Sequence, residues 1–302
     1  MKSAPLVSLG LPVFNGSNFL EETLISISEQ TFSDYELIIS DNASTDSTYE
    51  ICIKYAEKDN RIILTRNEQN KGAAYNYNKV FNQSKGKYFK WAAHDDLYEK
   101  NYLEKLIIPL EKDNKCAISY PKRIIINEKG IKEEYISDNL NLESSDPVER
   151  YKKFLYKFRY NTVFCDPVFG LIRRDVLEKT KLIGSYPTSD MNLLGELALR
   201  GKFIEVEEYL FLRRRHPEMS SKKNPGNRER AEWFSPSNKG KIQLPRWRWL
   251  GEFISSIFRT DINFPKKIFC LMHTFHWSIY WSKSFIADIV REFLHLFYLL
   301  KK

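Results

Sequence analysis

Over its first hundred residues the chain alternates short apolar runs with amphipathic helical stretches at roughly thirty-residue spacing, the rhythm that βαβ units impose. Leu6–Phe14, Leu37–Ser40, Arg61–Leu64 and Tyr88–Ala93 read as strands. The first intervening stretch repeats Leu20, Thr23, Leu24 and Ile27 at helical spacing, the second Tyr49, Cys52, Ile53 and Ala56, the third Ala73, Tyr77, Val80 and Phe81. Asn18 with Glu21, and Ser47 with Glu50, have the spacing of capping boxes. The expected fold is α/β, a mostly parallel, Rossmann-like sheet flanked by helices. Each strand runs into a polar cluster, at Asn15, Asp41–Asp46, Asn70–Gly72 and Asp95-Asp96. In a parallel sheet all of these gather at the carboxyl edge, where open α/β sheets bind ligands.

The stretch from Tyr88 to Asp96 is the sharpest of these, because two adjacent carboxylates beside His94 close an apolar strand. Hard oxygen ligands suit Mg²⁺ or Mn²⁺ bridging to substrate phosphates; the alternative is a polar turn. The chain has neither G-x-G-x-x-G nor G-x-x-x-x-G-K-[ST], so a bound nucleotide needs another device for its phosphates. A metal on Asp95 and Asp96 would serve. At 42% hydrophobic and 28% charged residues the composition is that of a folded globular protein. The net charge of +8 lies mostly in the last third, interleaved with aromatics, and suits nucleic acid, anionic lipid or phosphorylated substrates. Cys52, Cys116, Cys165 and Cys270 are far apart with no CxxC, which argues against zinc and for a reducing cytosol. Ala4–Val13 is too short and too broken by Gly and Pro for a signal or a membrane span.

Further on, Tyr98–Leu110 reads as a helix, Ala117–Pro121 and Arg123–Asn127 as short strands, and Tyr135–Asp146 as a polar loop. Val163–Ile172 is apolar and ends where a helix starts at Arg173–Leu177. Thr188-Ser189-Asp190 opens a helical face through Leu193, Leu194, Leu197 and Ala198, so Asp190 is either an N-cap or a site carboxylate. Phe203–Val206 and Tyr209–Leu212 are strands, followed by Arg213-Arg214-Arg215-His216, a solvated charge run or part of a site. Ser221–Gly240 is expected to be a mobile loop or lid. Arg246–Lys302 is dense in aromatic and basic residues but has no uncharged run of about eighteen residues, which excludes a spanning helix. Such a tail suits the interface of an anionic bilayer, or a helical pair packed on the rest of the chain or on a second subunit.

Pro12-Val13-Phe14-Asn15, Gln30-Thr31, Asp41–Asp46, Asn70-Lys71-Gly72 and His94-Asp95-Asp96 resemble, in order and spacing, the family 2 glycosyltransferases over roughly residues 5–215. The resemblance implies a GT-A fold and a nucleotide-sugar donor. It implies that Pro12, Val13 and Asn15 receive base and ribose, that Asp41, with Asn42 beside it, reads the base edge, and that Lys71 and Gly72 line the nucleotide. Asp95 and Asp96 match the DxD region that holds Mg²⁺ or Mn²⁺ and, through it, the diphosphate. The usual first acid of that run is Ala93 here, leaving His94 either to replace its hydrogen bond or to support the acids. Asp190 matches the general base of an inverting transfer, with Ser189 in place of the commoner Glu. His216 matches a metal-side residue, and Arg214 or Arg215 a phosphate contact. The implied organisation is a GT-A domain over 1–215, with a nucleotide half (1–97) and an acceptor half (98–215), then a lid and helical, aromatic and basic extension over 216–302. The acceptor is expected to be a glycan or a lipid-linked hydroxyl, not nucleic acid, and the location cytoplasmic, with a peripheral seat at the inner membrane face. The competing classes are a sugar nucleotidyltransferase, which would show a Gly-rich, Arg-containing phosphate loop after the first strand, a nucleic-acid binder, and an inactive nucleotide-sugar-binding homologue.

Overall fold

The computed structural model describes residues 4–159 and 166–300, so Val163, Phe164 and Cys165 of the apolar segment lie outside the described residues. The first half runs β1 (Val7–Val13), α1 (Leu20–Ser28), β2 (Tyr35–Asp41), α2 (Thr48–Ala56), β3 (Ile62–Arg66), α3 (Ala73–Gln83) and β4 (Tyr88–Trp91). Next come β5 (Leu97–Tyr98), α4 (Tyr102–Lys112), β6 (Cys116–Ile126), β7 (Lys132–Ile136), α5 (Pro147–Arg159), β8 (Leu171–Arg173), α6 (Arg174–Leu177), α7 (Ser189–Arg200) and β9 (Lys202–Arg214). The tail folds as α8 (Ser220–Lys223), α9 (Asn227–Phe234), α10 (Pro245–Arg259), α11 (Phe264–Tyr280) and α12 (Ser282–Leu300).

The sheet order is β3-β2-β1-β4-β8-β6-β9-β5, with β7 paired to β6. Ladders β3-β2, β2-β1 and β1-β4 are parallel, as the alternation of strands and helices requires. Beyond β4 the sheet is mixed: β8 is antiparallel to both neighbours, whereas β6 and β9 are parallel. Its two faces follow the period of the strands. Leu37 and Ile39 pack with Leu24 and Leu106, whereas Ile38 on the same strand packs with Val80 and Trp91.

Several local expectations change. Neither α1 nor α2 has a side-chain cap at its N-cap residue; instead the Asp46 carboxylate accepts from the Thr48 backbone N–H (3.1 Å). Tyr98 leaves the helix for a short strand pairing with Phe211. The pieces read on either side of Lys122 are one strand, whose register slips against β9 next to Pro121, a residue with no N–H to give the ladder. β9 likewise fuses two pieces, and Tyr135 and Ile136 belong to β7 rather than to a loop. The stretch expected as a loop or lid at Ser221–Gly240 is instead largely helical, in α8, α9 and a 3-10 turn at Pro236–Asn238. Cys52, Cys116 and Cys270 are buried free thiols.

Helix α5, absent from the sequence reading, is the hub of the second core. It buries Tyr151, Phe154, Leu155 and Phe158, while Asp146 accepts from the Val148 N–H ahead of its first turn. α7 lies against it and is buried nearly all round, as a helix packed between others must be. Phe253 of α10 and Trp277 of α11 join this same cluster, so the tail packs on the α/β body through one face. Phe154 is fully buried and Phe275 is 67% exposed. Phe154→Ala should therefore lower the unfolding free energy by about 3–5 kcal/mol in a denaturant titration. Phe275→Ala should change it by less than about 0.5 kcal/mol.

Candidate active site

A cleft of about 560 Å³ opens at the carboxyl ends of β1, β2 and β4. Parallel pairing sets Val13 opposite Asp41, and β4 ends two residues before Ala93 beside β1. Pro12, Val13, Asn15, Asn42, His94, Asp95, Asp96, Arg214 and His216 all line the cleft. Asp41, Lys71, Gly72, Asp190 and Arg215 are not on its wall.

The β1 and β2 ends are stitched together by their own polar groups. Asn15 receives Thr45 N–H on its Oδ1 (2.9 Å) and donates its own N–H to Ser44 Oγ (2.9 Å), and Gly16 N–H donates to Thr48 Oγ1 (2.8 Å). Asn15 and Ala43 both hold positive φ (50° and 63°), a conformation few side chains adopt without a local reason. Gly16 is where it is because a Cβ there would stand 2.4 Å from His94 Cδ2. The His94 imidazole thus lies flush on the β1 turn.

Asp41 is fully buried, paired with Arg66 Nε (3.0 Å) and accepting from the Ser44 N–H. Asn42 takes the wall position and uses its amide to hold the next loop: Nδ2 donates to Asn70 Oδ1 (2.9 Å), and Oδ1 accepts from Lys71 N–H (3.1 Å) and Asn67 Nδ2 (2.8 Å). Lys71 itself reaches over the Tyr75 ring. Gly72 has φ +85°, and a Cβ on it would meet the Phe234 carbonyl oxygen at 2.6 Å. Its role in this structure is to let α9 and the turn after it sit down over the cleft, where Trp233 and Pro236 complete the wall.

The two acids differ in state. Burial works against ionisation of Asp95, yet His94 and a 2.9 Å hydrogen bond between His216 Nε2 and Asp95 Oδ2 hold its carboxyl below the ordinary range. Burial first, and the Asp95 carboxylate next, push Asp96 well above it; Asp96 Oδ1 accepts from the Arg214 N–H (2.9 Å). Two buried neighbouring carboxylates cannot both ionise cheaply without a cation. Among the described residues no group of three or more His, Cys, Asp and Glu is spaced to hold a metal. The donor set present, one or two carboxylates facing an open cleft, is nonetheless the one Mg²⁺ and Mn²⁺ use when substrate phosphates supply other ligands. The residues therefore fit such an ion. His216 is 3% exposed, edge-on to Phe19 at 4.6 Å; in this structure it supports Asp95.

The three arginines at the end of β9 find different partners. Arg213 faces the cleft and pairs with Asp166 (2.8 Å), which in turn pairs with Arg123 (2.8 Å) and so connects to Asp138. Arg214 is buried and fully engaged, with Glu22 (2.6 Å), the Glu128 carbonyl (2.8 Å) and the Asp95 carbonyl (3.0 Å). Arg215 points away to Glu134 (3.1 Å). Arg214 lines the cleft with its guanidinium spent on these partners, Arg215 is off the wall, and Arg213, whose charge already offsets Asp96, stands on the wall with Lys223. Lys90, missed in the sequence, lies buried among Tyr98, Tyr102 and Phe211, its ammonium donating to the Trp91 and Phe169 carbonyls.

Asp190 lies in the first turn of α7, which Thr188 starts with φ 66° and ψ 23°, a strained entry of the kind found at functional sites. The Tyr77 ring lines the cleft, and burial first, then Asp95, Asp96 and Asp190, raise its phenol pKa. One tyrosine therefore senses all three acids. They share one electrostatic neighbourhood although two follow β4 and the third opens α7.

Comparison with known proteins agrees with this geometry. The family model for glycosyl transferase family 2 matches residues 8–181. An uncharacterized glycosyltransferase of Rickettsia prowazekii, RP339, is 37% identical over 127 residues, 42% of this chain and 39% of that protein; the chain thus spans about two fifths of its length. The structure of S. aureus TarS 1-349 in complex with UDP-GlcNAc shares the fold at 16% identity, with a TM-score of 0.65 over 91% of this chain and 72% of that one. The mannosyltransferase PcManGT of Pyrobaculum calidifontis, in complex with GDP-Man and Mn²⁺, does so at 14% identity and a TM-score of 0.54, over 93% and 76%. The mixed sheet flanked by helices is the GT-A arrangement, and by sequence the chain belongs to glycosyl transferase family 2.

Proposed function

We propose that this chain is a glycosyltransferase that moves a sugar from a nucleoside-diphosphate sugar to a hydroxyl of a glycan or lipid-linked acceptor, with inversion. The observation that carries the reading is the Asp95-Asp96 pair on the wall of a roofed cleft at the strand ends, beside a Tyr77 ring that also feels Asp190 from the first turn of α7. Family membership and the nucleotide-sugar complexes of the fold neighbours support the donor class. The workplace we infer is the cytoplasm, at the inner face of a membrane. No helix among the described residues is long and apolar enough to cross one.

Asp95, with Asp96 beside it, would hold Mg²⁺ or Mn²⁺. When bound, the ion neutralises the charge that develops on the departing diphosphate. The chain's own residues do the rest. The β1 turn, with Pro12, Val13 and Asn15, and the Asn42 to Gly72 loops receive the nucleoside, and α9 covers it. Arg213 adds a positive charge beside the acids, and His94 and His216 keep Asp95 ionised. Asp190 takes the proton of the acceptor hydroxyl while its oxygen bonds to the anomeric carbon and the bond to the diphosphate breaks. The absence of an acid at Ala93 leaves His94 as the polar group nearest that place in the sequence, which favours His94 as the donor-side hydrogen-bonding residue.

Asp190→Asn removes the base and little else, so transfer should fall by about 10²–10⁴-fold with nucleoside diphosphate affinity in calorimetry near normal. Undiminished turnover would remove Asp190 from the mechanism. The arginines should separate in opposite directions. Arg213→Met is expected to weaken diphosphate binding with modest loss of stability. Arg214→Met should cost about 2–4 kcal/mol in thermal or denaturant unfolding, since it strips partners from Glu22 and three backbone carbonyls.

A further inference from the structure

Helix α12 is built inside out. Its two carboxylates, Asp288 and Glu292, are 1% and 6% exposed and point inward, Asp288 to Arg246 (2.7 Å) and Glu292 to Arg228. Ile286, Ile289, Val290, Phe293, Leu294 and Phe297 stand 48–67% exposed on its outer side. Phe269, Met272, Phe275 and Ile279 of α11 add four more side chains at 52–67%. A surface helix ordinarily turns its apolar stripe inward, and an apolar patch of this extent on a folded protein marks something that covers it.

The charges around the patch say what does. α11 contains no Asp or Glu, and the only two in α12 are the buried pair, so the rim is basic: Lys267 and Lys283 carry it, with Lys266 also beside Asp146 (3.1 Å) and Arg291 beside Asp288 (3.6 Å). Where α11 meets α5 there is a cavity of about 470 Å³ with Lys152, Lys153, Lys157, Arg159, His273 and His276 around it and no carboxylate on its wall. Some of these are engaged, Lys153 with Glu149 and Arg159 over the Tyr280 ring. The cavity is electropositive all the same: burial, then Lys152 and His276, lower the pKa of His273. Trp277 also lines the cavity, is 2% exposed, and its indole N–H has no acceptor among the described residues. Facing a second copy of itself, this surface would set cation against cation. An anionic bilayer satisfies both halves, acyl chains against the apolar residues and phosphate headgroups against the bases.

We propose that the outer face of α11 and α12 seats on an anionic lipid bilayer, with the phosphate of one lipid headgroup held in the basic cavity between α5 and α11. This deepens the membrane part of the proposed function and rests on that part, but its readout is vesicle binding, which succeeds or fails separately from turnover. The test is co-sedimentation of the full chain with phosphatidylcholine vesicles with and without phosphatidylglycerol. The chain should sediment with the anionic vesicles only. Phe275→Asp with Phe293→Asp should abolish this, and Lys152→Ala with Lys157→Ala should weaken it roughly ten-fold or more, all with unchanged circular dichroism and nucleotide affinity. Equal binding to neutral vesicles would overturn the proposal, as would indifference to either pair of substitutions. So would a dimer in sedimentation velocity that the Phe275 and Phe293 changes dissolve, which would give the face to a second copy. Competition by glycerol phosphate at matched phosphate concentration would also overturn it, because the cavity would then take soluble phosphate as readily as lipid.

Discussion

Parallel pairing of β1 with both β2 and β4 is the constraint from which the rest follows. A parallel ladder forces each connection to cross the sheet, so every strand ends at the same edge. That alone brings Asn15, Asn42 and the Asp95-Asp96 pair together from three separate loops. The antiparallel β8 then turns the sheet's direction beyond β4, and β9 returns Arg213, Arg214 and His216 to the same place. The site is a consequence of topology before it is a set of residues.

Its electrostatics rest on asymmetry. Asp95 is held ionised by two imidazoles while its neighbour Asp96, more deeply buried, is pushed toward the neutral form. Arg214, which looks from sequence like a phosphate ligand, instead ties the β4 end to α1 and to the turn after β6, fixing both acids in place. Around the pair the charged groups form a frame, with Asp138, Arg123, Asp166 and Arg213 alternating in sign from the interior to the cleft. A frame of this kind costs little so long as every member is paired, and loses several kcal/mol when one of its interior members, Arg123, Asp138 or Asp166, is removed.

The strand ends were legible because polar residues after an apolar run have few structural uses, and four such ends at one edge reinforce one another. What escaped did so for physical reasons. α5 carries Lys152, Lys153, Lys157 and Arg159 among its apolar residues, so its charge hid a face of Tyr151, Phe154, Leu155 and Phe158 that the helical period does reveal. The arginine run could not be sorted from sequence, because its three side chains are told apart only by the carboxylates they meet, Asp166, Glu22 and Glu134, which are remote in the chain. The roof over the cleft is legible as a lid at Ser221–Gly240 but not as helices, because its sequence is polar, and nothing in the sequence shows that the space beside Gly72 is taken by Phe234. The inversion of α12 is invisible in sequence, since a mostly apolar helix does not tell which side its two carboxylates face.

We propose that Asp95 and Asp96 bind a nucleoside diphosphate through a divalent cation. Isothermal titration of the full chain with nucleoside diphosphates, with and without Mn²⁺, decides it. At least one nucleotide should bind only with Mn²⁺ present, and that binding should disappear in Asp95→Asn. Binding indifferent to the metal, or no binding by any nucleotide, would refute the metal-bridged site.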